Sequence, residues 1–137
     1  MSRVRSLFAL SRRRRALLVG ALALTALARA GFAVTSYRRT ARLFDRVPSR
    51  SSAAATPEDV RWAVRCTAAQ VPGATCLVKG LVAHALCRRH GHPAELYVGV
   101  EREREGFAAH SWVESDGRVI VGDDVDLDRY EPLGVLE

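Results

Sequence analysis

The 137-residue chain has no CxxC pair, and its cysteines (Cys66, Cys76 and Cys87) are odd in number. That excludes a disulfide framework and leaves no cysteine at metal-ligand spacing, so reduced thiols in a cytoplasmic protein are the expectation. No glycine-rich phosphate loop is present, and no aromatic pattern interleaves the basic residues as nucleic-acid binding would suggest. Acidic residues are nearly missing from the first 50 positions, where twelve arginines face Asp45 alone, a balance of +11. Residues 51–137 hold nine basic against fourteen acidic side chains, or −5, so the overall +6 belongs to the N-terminal third. Hydrophobic content of 48% excludes wholesale disorder, and the length supports one modest domain with a helix or two appended.

Long apolar runs are also lacking. ALLVGALALTALA is thirteen residues long, and Arg29 interrupts it well before the roughly twenty that a membrane span needs. Preceded by a basic leader and followed by Ala28-Arg29-Ala30, the run has the outline of a signal peptide or anchor. The competing reading is a pair of amphipathic helices. Leu17, Leu18, Ala21, Leu22, Leu24 and Ala28 recur at helical spacing, as does a second cluster at Phe32, Val34, Tyr37, Leu43 and Phe44. Arg38, Arg39, Arg42 and Arg46 then form a solvated face. This divides the chain into a basic helical segment (1–46), a Pro/Ser/Ala-rich linker (47–56) and a folded domain (57–137).

The folded domain opens on Thr56-Pro57-Glu58-Asp59, a cap, a first-turn proline and two acids at the positive end of a helix. Val60, Ala63, Val64, Thr67 and Ala68 give it an apolar stripe, Trp62 packs on the core, and Pro72-Gly73 ends it. A second helix from Thr75 or Cys76 to about His90 is apolar around much of its circumference and therefore buried, with Gly91 as a left-handed stop. Three strands are expected next: AELYVGV, then, after the charged connection EREREG, FAAHSWVES and GRVIVGDD joined by an Asp116-Gly117 hairpin turn. The fold class is α+β, a buried helix carrying a cysteine against an antiparallel sheet.

Regular pairing outward from that turn sets Ser115 against Arg118, Glu114 against Val119, and His110 against Asp123. A carboxylate beside an imidazole fixes its tautomer, and a thiol at a helix start is favoured as thiolate. Cys76, His110 and Asp123 are thus candidates for a Cys-His-Asp triad, with the Cys76 N–H facing an oxyanion. Asp124 is the alternative acid, and Gln70, six residues before Cys76, is a candidate oxyanion donor. Each has a structural counterpart: a small buried apolar cysteine, a packed strand histidine, an acid in a loop or cap. Cys66 and Cys87 read as core. Metal binding at His90 and His92 lacks further ligands.

The stretches ATCLVKGLVAHALCRRHGHPAELYVGV and FAAHSWVESDGRVIVGDD and the closing RYEPL resemble the transglutaminase-like leader peptidases of split lasso-peptide biosynthesis systems, over residues 57–135. The resemblance implies a transglutaminase-like, papain-like core and a cytoplasmic cysteine protease that removes the leader from a ribosomally made precursor. Cys76 then matches the nucleophile, His110 the base, and Asp123 or Asp124 the acid, with no metal or organic cofactor. Fused relatives carry a β-rich leader-recognition domain, and nothing in residues 1–55 alternates like strands. Leader recognition is therefore expected from a separate protein, with an asparagine-synthetase-like cyclase taking the core peptide and no nucleic acid involved. ATP dependence, described for some relatives, would come from partners. The same residues also suit transglutaminase-type acyl transfer to an amine, and the basic apolar N-terminus suits a non-catalytic, membrane-associated adaptor.

Overall fold

Ser11 caps helix α1 (Arg12–Val34) by accepting a bond from the Arg14 N–H, and the helix runs uninterrupted through Arg29. The computed structural model describes residues 11–48, 55–71, 73–103, 106–123 and 125–136. Ser36 caps α2 (Tyr37–Phe44), whose arginines 38, 39 and 42 are exposed, as is Arg46 just beyond it. α1 is long and apolar enough to cross a membrane by length and composition, but Leu17, Ala21, Thr25 and Ala28 are buried against the rest of the chain. These are one face at spacings of three and four.

α3 (Pro57–Gln70) starts with the expected cap, completed by a reciprocal bond. Thr56 Oγ1 accepts from the Asp59 N–H at 3.1 Å, and Asp59 Oδ2 accepts from the Thr56 N–H at 3.0 Å. The pair satisfies two backbone donors that a helix start otherwise leaves open. Its buried stripe is Val60, Ala63, Val64 and Thr67, and Trp62 lies half-buried on the core beneath the Arg14 guanidinium. α4 (Cys76–Arg89) buries nine of its fourteen residues, from Val78 to Cys87, as its near-continuous apolar surface requires. Gly91, at φ +79°, stops it, and the His92 N–H closes back on the Cys87 carbonyl at 2.9 Å.

The sheet is antiparallel in the order β3-β2-β1-β4, from β1 (Glu95–Glu103), β2 (Gly106–Ser115), β3 (Arg118–Val121) and β4 (Glu131–Leu136), the last two at its edges. Two expectations are corrected here. EREREG is not a plain connection, because β1 continues through Glu103 and pairs with β2 down to Gly106. Alternation of charge along a strand was masked by the density of charged residues. The fourth strand, EPLGVL, carries Pro, Gly and exposed Leu133 and Val135, a composition that suits only an edge. The Asp116-Gly117 turn has φ +51° and +77°, the geometry of a two-residue hairpin.

α4 packs on β2 through Gly80. A Cβ there would stand 2.7 Å from Leu96 Cδ1 and 3.6 Å from Ser111 Oγ. Leu96, Ser111 and Val113 therefore face the helices. Strand alternation sends Tyr97, His110 and Trp112 to the other side, where the Tyr97 and Trp112 rings stack at 5.4 Å. Buried residues of α1, α2, α3, α4 and the first three strands form a single apolar cluster, so the helices on both sides of residues 47–56 share one core. Positions 49–54 lie outside the described residues.

Candidate active site

Cys76 is the first residue of α4. Thr75 caps the helix, its hydroxyl accepting from the Val78 N–H at 3.3 Å and its carbonyl from the Lys79 N–H at 3.0 Å. The thiol is half-buried, at the positive end of the helix dipole. Cys87, on the same helix, differs in kind. It is fully buried, and burial, with the nearby Asp116 carboxylate, pushes its thiol up to about 12. Such a group stays protonated and packs as a small apolar side chain. All three cysteines are free.

His110 is 8% exposed on β2. Its Nε2 lies 2.7 Å from the Gly122 carbonyl oxygen, and a carbonyl only accepts, so Nε2 carries the proton. In the neutral ring Nδ1 is then the bare, basic nitrogen. Trp112 stacks on one side at 6.3 Å between centroids, and Tyr130 tilts against the ring at 5.3 Å. Tyr97, Trp112, His110 and Tyr130 thus form a continuous row of rings on the sheet face away from α4.

The expected pairing of His110 with Asp123 is corrected. The ladder is regular for Ser115 with Arg118 and Glu114 with Val119, but Val113 then pairs with Val121. Ile120 is an extra residue, a β-bulge, and everything beyond it moves by one position. Gly122 comes to lie against Trp112, with its φ at +94°, and offers its carbonyl to His110. The Asp123 carboxylate turns to α3, 2.9 Å from Arg61 Nη2 and 3.5 Å from Arg65 Nη2. Partial burial opposes ionisation of Asp123, but the hydrogen bond and charge of Arg61, its own backbone N–H and the charge of Arg65 outweigh it and hold the carboxyl below its usual range.

Among the described residues no hydrogen bond joins Cys76 Sγ to His110, although their elements, α4 and β2, pack together. Asp124 lies outside the described residues. Gln70 ends α3 with an exposed side chain.

Three participants have no plain sequence signal. The Gly122 carbonyl depends on a bulge, and Arg61 and Arg65 read in sequence as an exposed basic pair one helical turn apart. Trp112, two residues after His110 on a strand, was the one readable clue, because that spacing places both rings on one face.

No curated protein and no solved structure matches the chain. The profile of the transglutaminase-like superfamily matches residues 7–135, taking in the N-terminal helices together with the sheet. With four helices and a four-stranded antiparallel sheet among the described residues, and a cysteine at the head of the buried helix, the chain belongs to the transglutaminase-like superfamily.

Proposed function

We propose that this chain is a cytoplasmic cysteine peptidase that removes the leader from a ribosomally synthesised lasso-peptide precursor. The supporting observation is the position of Cys76, a half-buried thiol heading the central helix of a transglutaminase-like chain. Sequence resemblance supports the substrate class.

In this reading His110 Nδ1 takes the Cys76 proton, and the thiolate attacks the carbonyl carbon at the leader–core junction. The C–S bond forms, and the oxyanion faces amides at the start of α4. Collapse breaks the C–N bond, the imidazolium returns its proton to the departing core amine, and the leader is held as a thioester. Water attacks that thioester with His110 as base. The leader leaves as a carboxylate and the thiol is restored.

His110 lies on the sheet face away from α4, so the first step requires a rearrangement that brings its ring to Cys76 and is larger than the tightening of a catalytic hydrogen bond. The third member is Asp123 or Asp124. For Asp123, the role requires exchanging Arg61 and Arg65 for the imidazole. A separate leader-recognition protein delivers the precursor, and an asparagine-synthetase-like cyclase takes the core. Incubation of precursor with that recognition protein and this chain, read by mass spectrometry, tests the proposal: free leader and free core are expected, and their absence counts against it. With excess amine present, an amine-capped leader would instead favour acyl transfer.

One observation favours a second reading as a membrane-associated adaptor. α1 exposes Val19, Leu22, Leu27 and Val34 along its length, and arginines 12, 13 and 14 are exposed at its N-terminal end. Leader cleavage that persists in Cys76→Ala, together with recovery of the chain on lipid vesicles, would favour it.

A further inference from the structure

At the bulge in β3 one side chain meets two successive backbone carbonyls. Arg61 Nη1 donates to the Val119 carbonyl at 3.1 Å and to the Ile120 carbonyl at 3.3 Å, while Nη2 holds Asp123 Oδ2 at 2.9 Å. These acceptors lie on both sides of Gly122, whose own carbonyl receives the His110 Nε2–H. Gly122 has little room to move otherwise. A Cβ there would stand 2.6 Å from Trp112 Cβ and 2.7 Å from the Ser111 carbonyl oxygen.

We propose that Arg61 is a positioning residue that fixes the tautomer and orientation of His110 through the Gly122 carbonyl. A planar guanidinium offers two donor groups in a fixed fork and can hold three acceptors at once, which the single ammonium of lysine does not reproduce. The Arg61 side chain is 22% exposed against 58% for Arg65, so Arg61 is the sheltered half of the clamp and Arg65 the solvated one. In this arrangement the backbone carbonyl orients the imidazole, and Asp123 contributes by anchoring the loop to α3. The assignment rests on the reading of His110 as a base only for its consequence in catalysis.

The test is the ring 15N signature of His110, measured on the full chain by long-range 1H–15N correlation. The wild type should show one tautomer, protonated at Nε2. Arg61→Gln should lose that signature and drift towards the mixed tautomers of a free imidazole, with Arg61→Lys restoring it in part. Asp123→Ala, at a solvated site, leaves Arg61 on the two carbonyls and should shift the His110 signals in the same direction by less, which keeps the proposal testable if Arg61→Gln does not fold. Unchanged His110 signals in folded Arg61→Gln, or in Asp123→Ala, would overturn it. This readout needs no peptidase activity, so a wild type that cleaves nothing contradicts the proposed function and leaves the positioning role standing.

Discussion

His110 donates its Nε2–H to the Gly122 carbonyl at 2.7 Å, and the adjoining Asp123 carboxylate points instead to Arg61 on α3. The imidazole is therefore oriented by backbone, and the acid beside it ties the loop to a helix.

Gly122→Ala should be among the most damaging changes near the sheet. The residue sits at φ +94°, and the added methyl meets the Trp112 side chain and the Ser111 backbone. Strain and overpacking together cost roughly 1–3 kcal/mol. Chemical denaturation should show that loss, and the His110 tautomer should become mixed. A variant as stable as the wild type would contradict the close approach.

Acid should weaken the fold through Asp59 and Asp123. The cap contacts of Asp59 with the Thr56 backbone outweigh the cost of its partial burial, and with Arg14 nearby they hold the carboxyl below its usual range. Asp123 is held low despite burial, by Arg61 and Arg65. Carboxyls depressed in the folded chain stabilise it above their unfolded value of about 3.9, and that contribution is lost as pH falls through the folded values. Urea midpoints measured from pH 6 to 2 should fall less steeply in Asp59→Asn and Asp123→Asn than in the wild type.

Cys87 makes the opposite prediction at high pH. Its thiol is pushed up to about 12 in the fold, whereas an unfolded cysteine ionises near 8.5. Between those values the unfolded chain loses a proton that the folded chain keeps, so stability falls as pH rises. Cys87→Ala should show a shallower alkaline decline. Iodoacetamide mapping of the native protein should label half-buried Cys76 and leave Cys87 unmodified until unfolding.

Thr56→Ala removes one side of the reciprocal cap on α3 and should cost about 1 kcal/mol. Because α3 also carries Arg61 and Arg65, fraying of its first turns should reach the β3 loop. Slower loss of amide protection there than at α3 itself would show that the two are uncoupled.

What could be read from the sequence was local. Thr56-Pro57, Gly91 and Asp116-Gly117 each impose a backbone geometry through their own chemistry, and the helix start at Thr56, the stop at Gly91 and the hairpin turn all stand where those residues place them. The apolar circumference of α4 likewise announced its burial. The His110–Asp123 pairing failed because it extrapolated a regular ladder across Ile120. The bulge there is held by Arg61, 59 residues earlier in the chain, and no local pattern carries that information. The fourth strand was hidden for a related reason, since an edge strand with Pro132 and Gly134 owes its pairing to β1 more than to its own composition.

The most direct measurement of the central claim is leader cleavage by the wild type and by Cys76→Ala, each folded, with precursor and recognition protein present. The wild type should release leader and core, with a leader thioester on Cys76 trapped at short times by intact-protein mass spectrometry. Cys76→Ala should lose on the order of 10^4-fold or more of the rate, while Cys66→Ala and Cys87→Ala keep it. Cleavage that survives in Cys76→Ala would contradict the account.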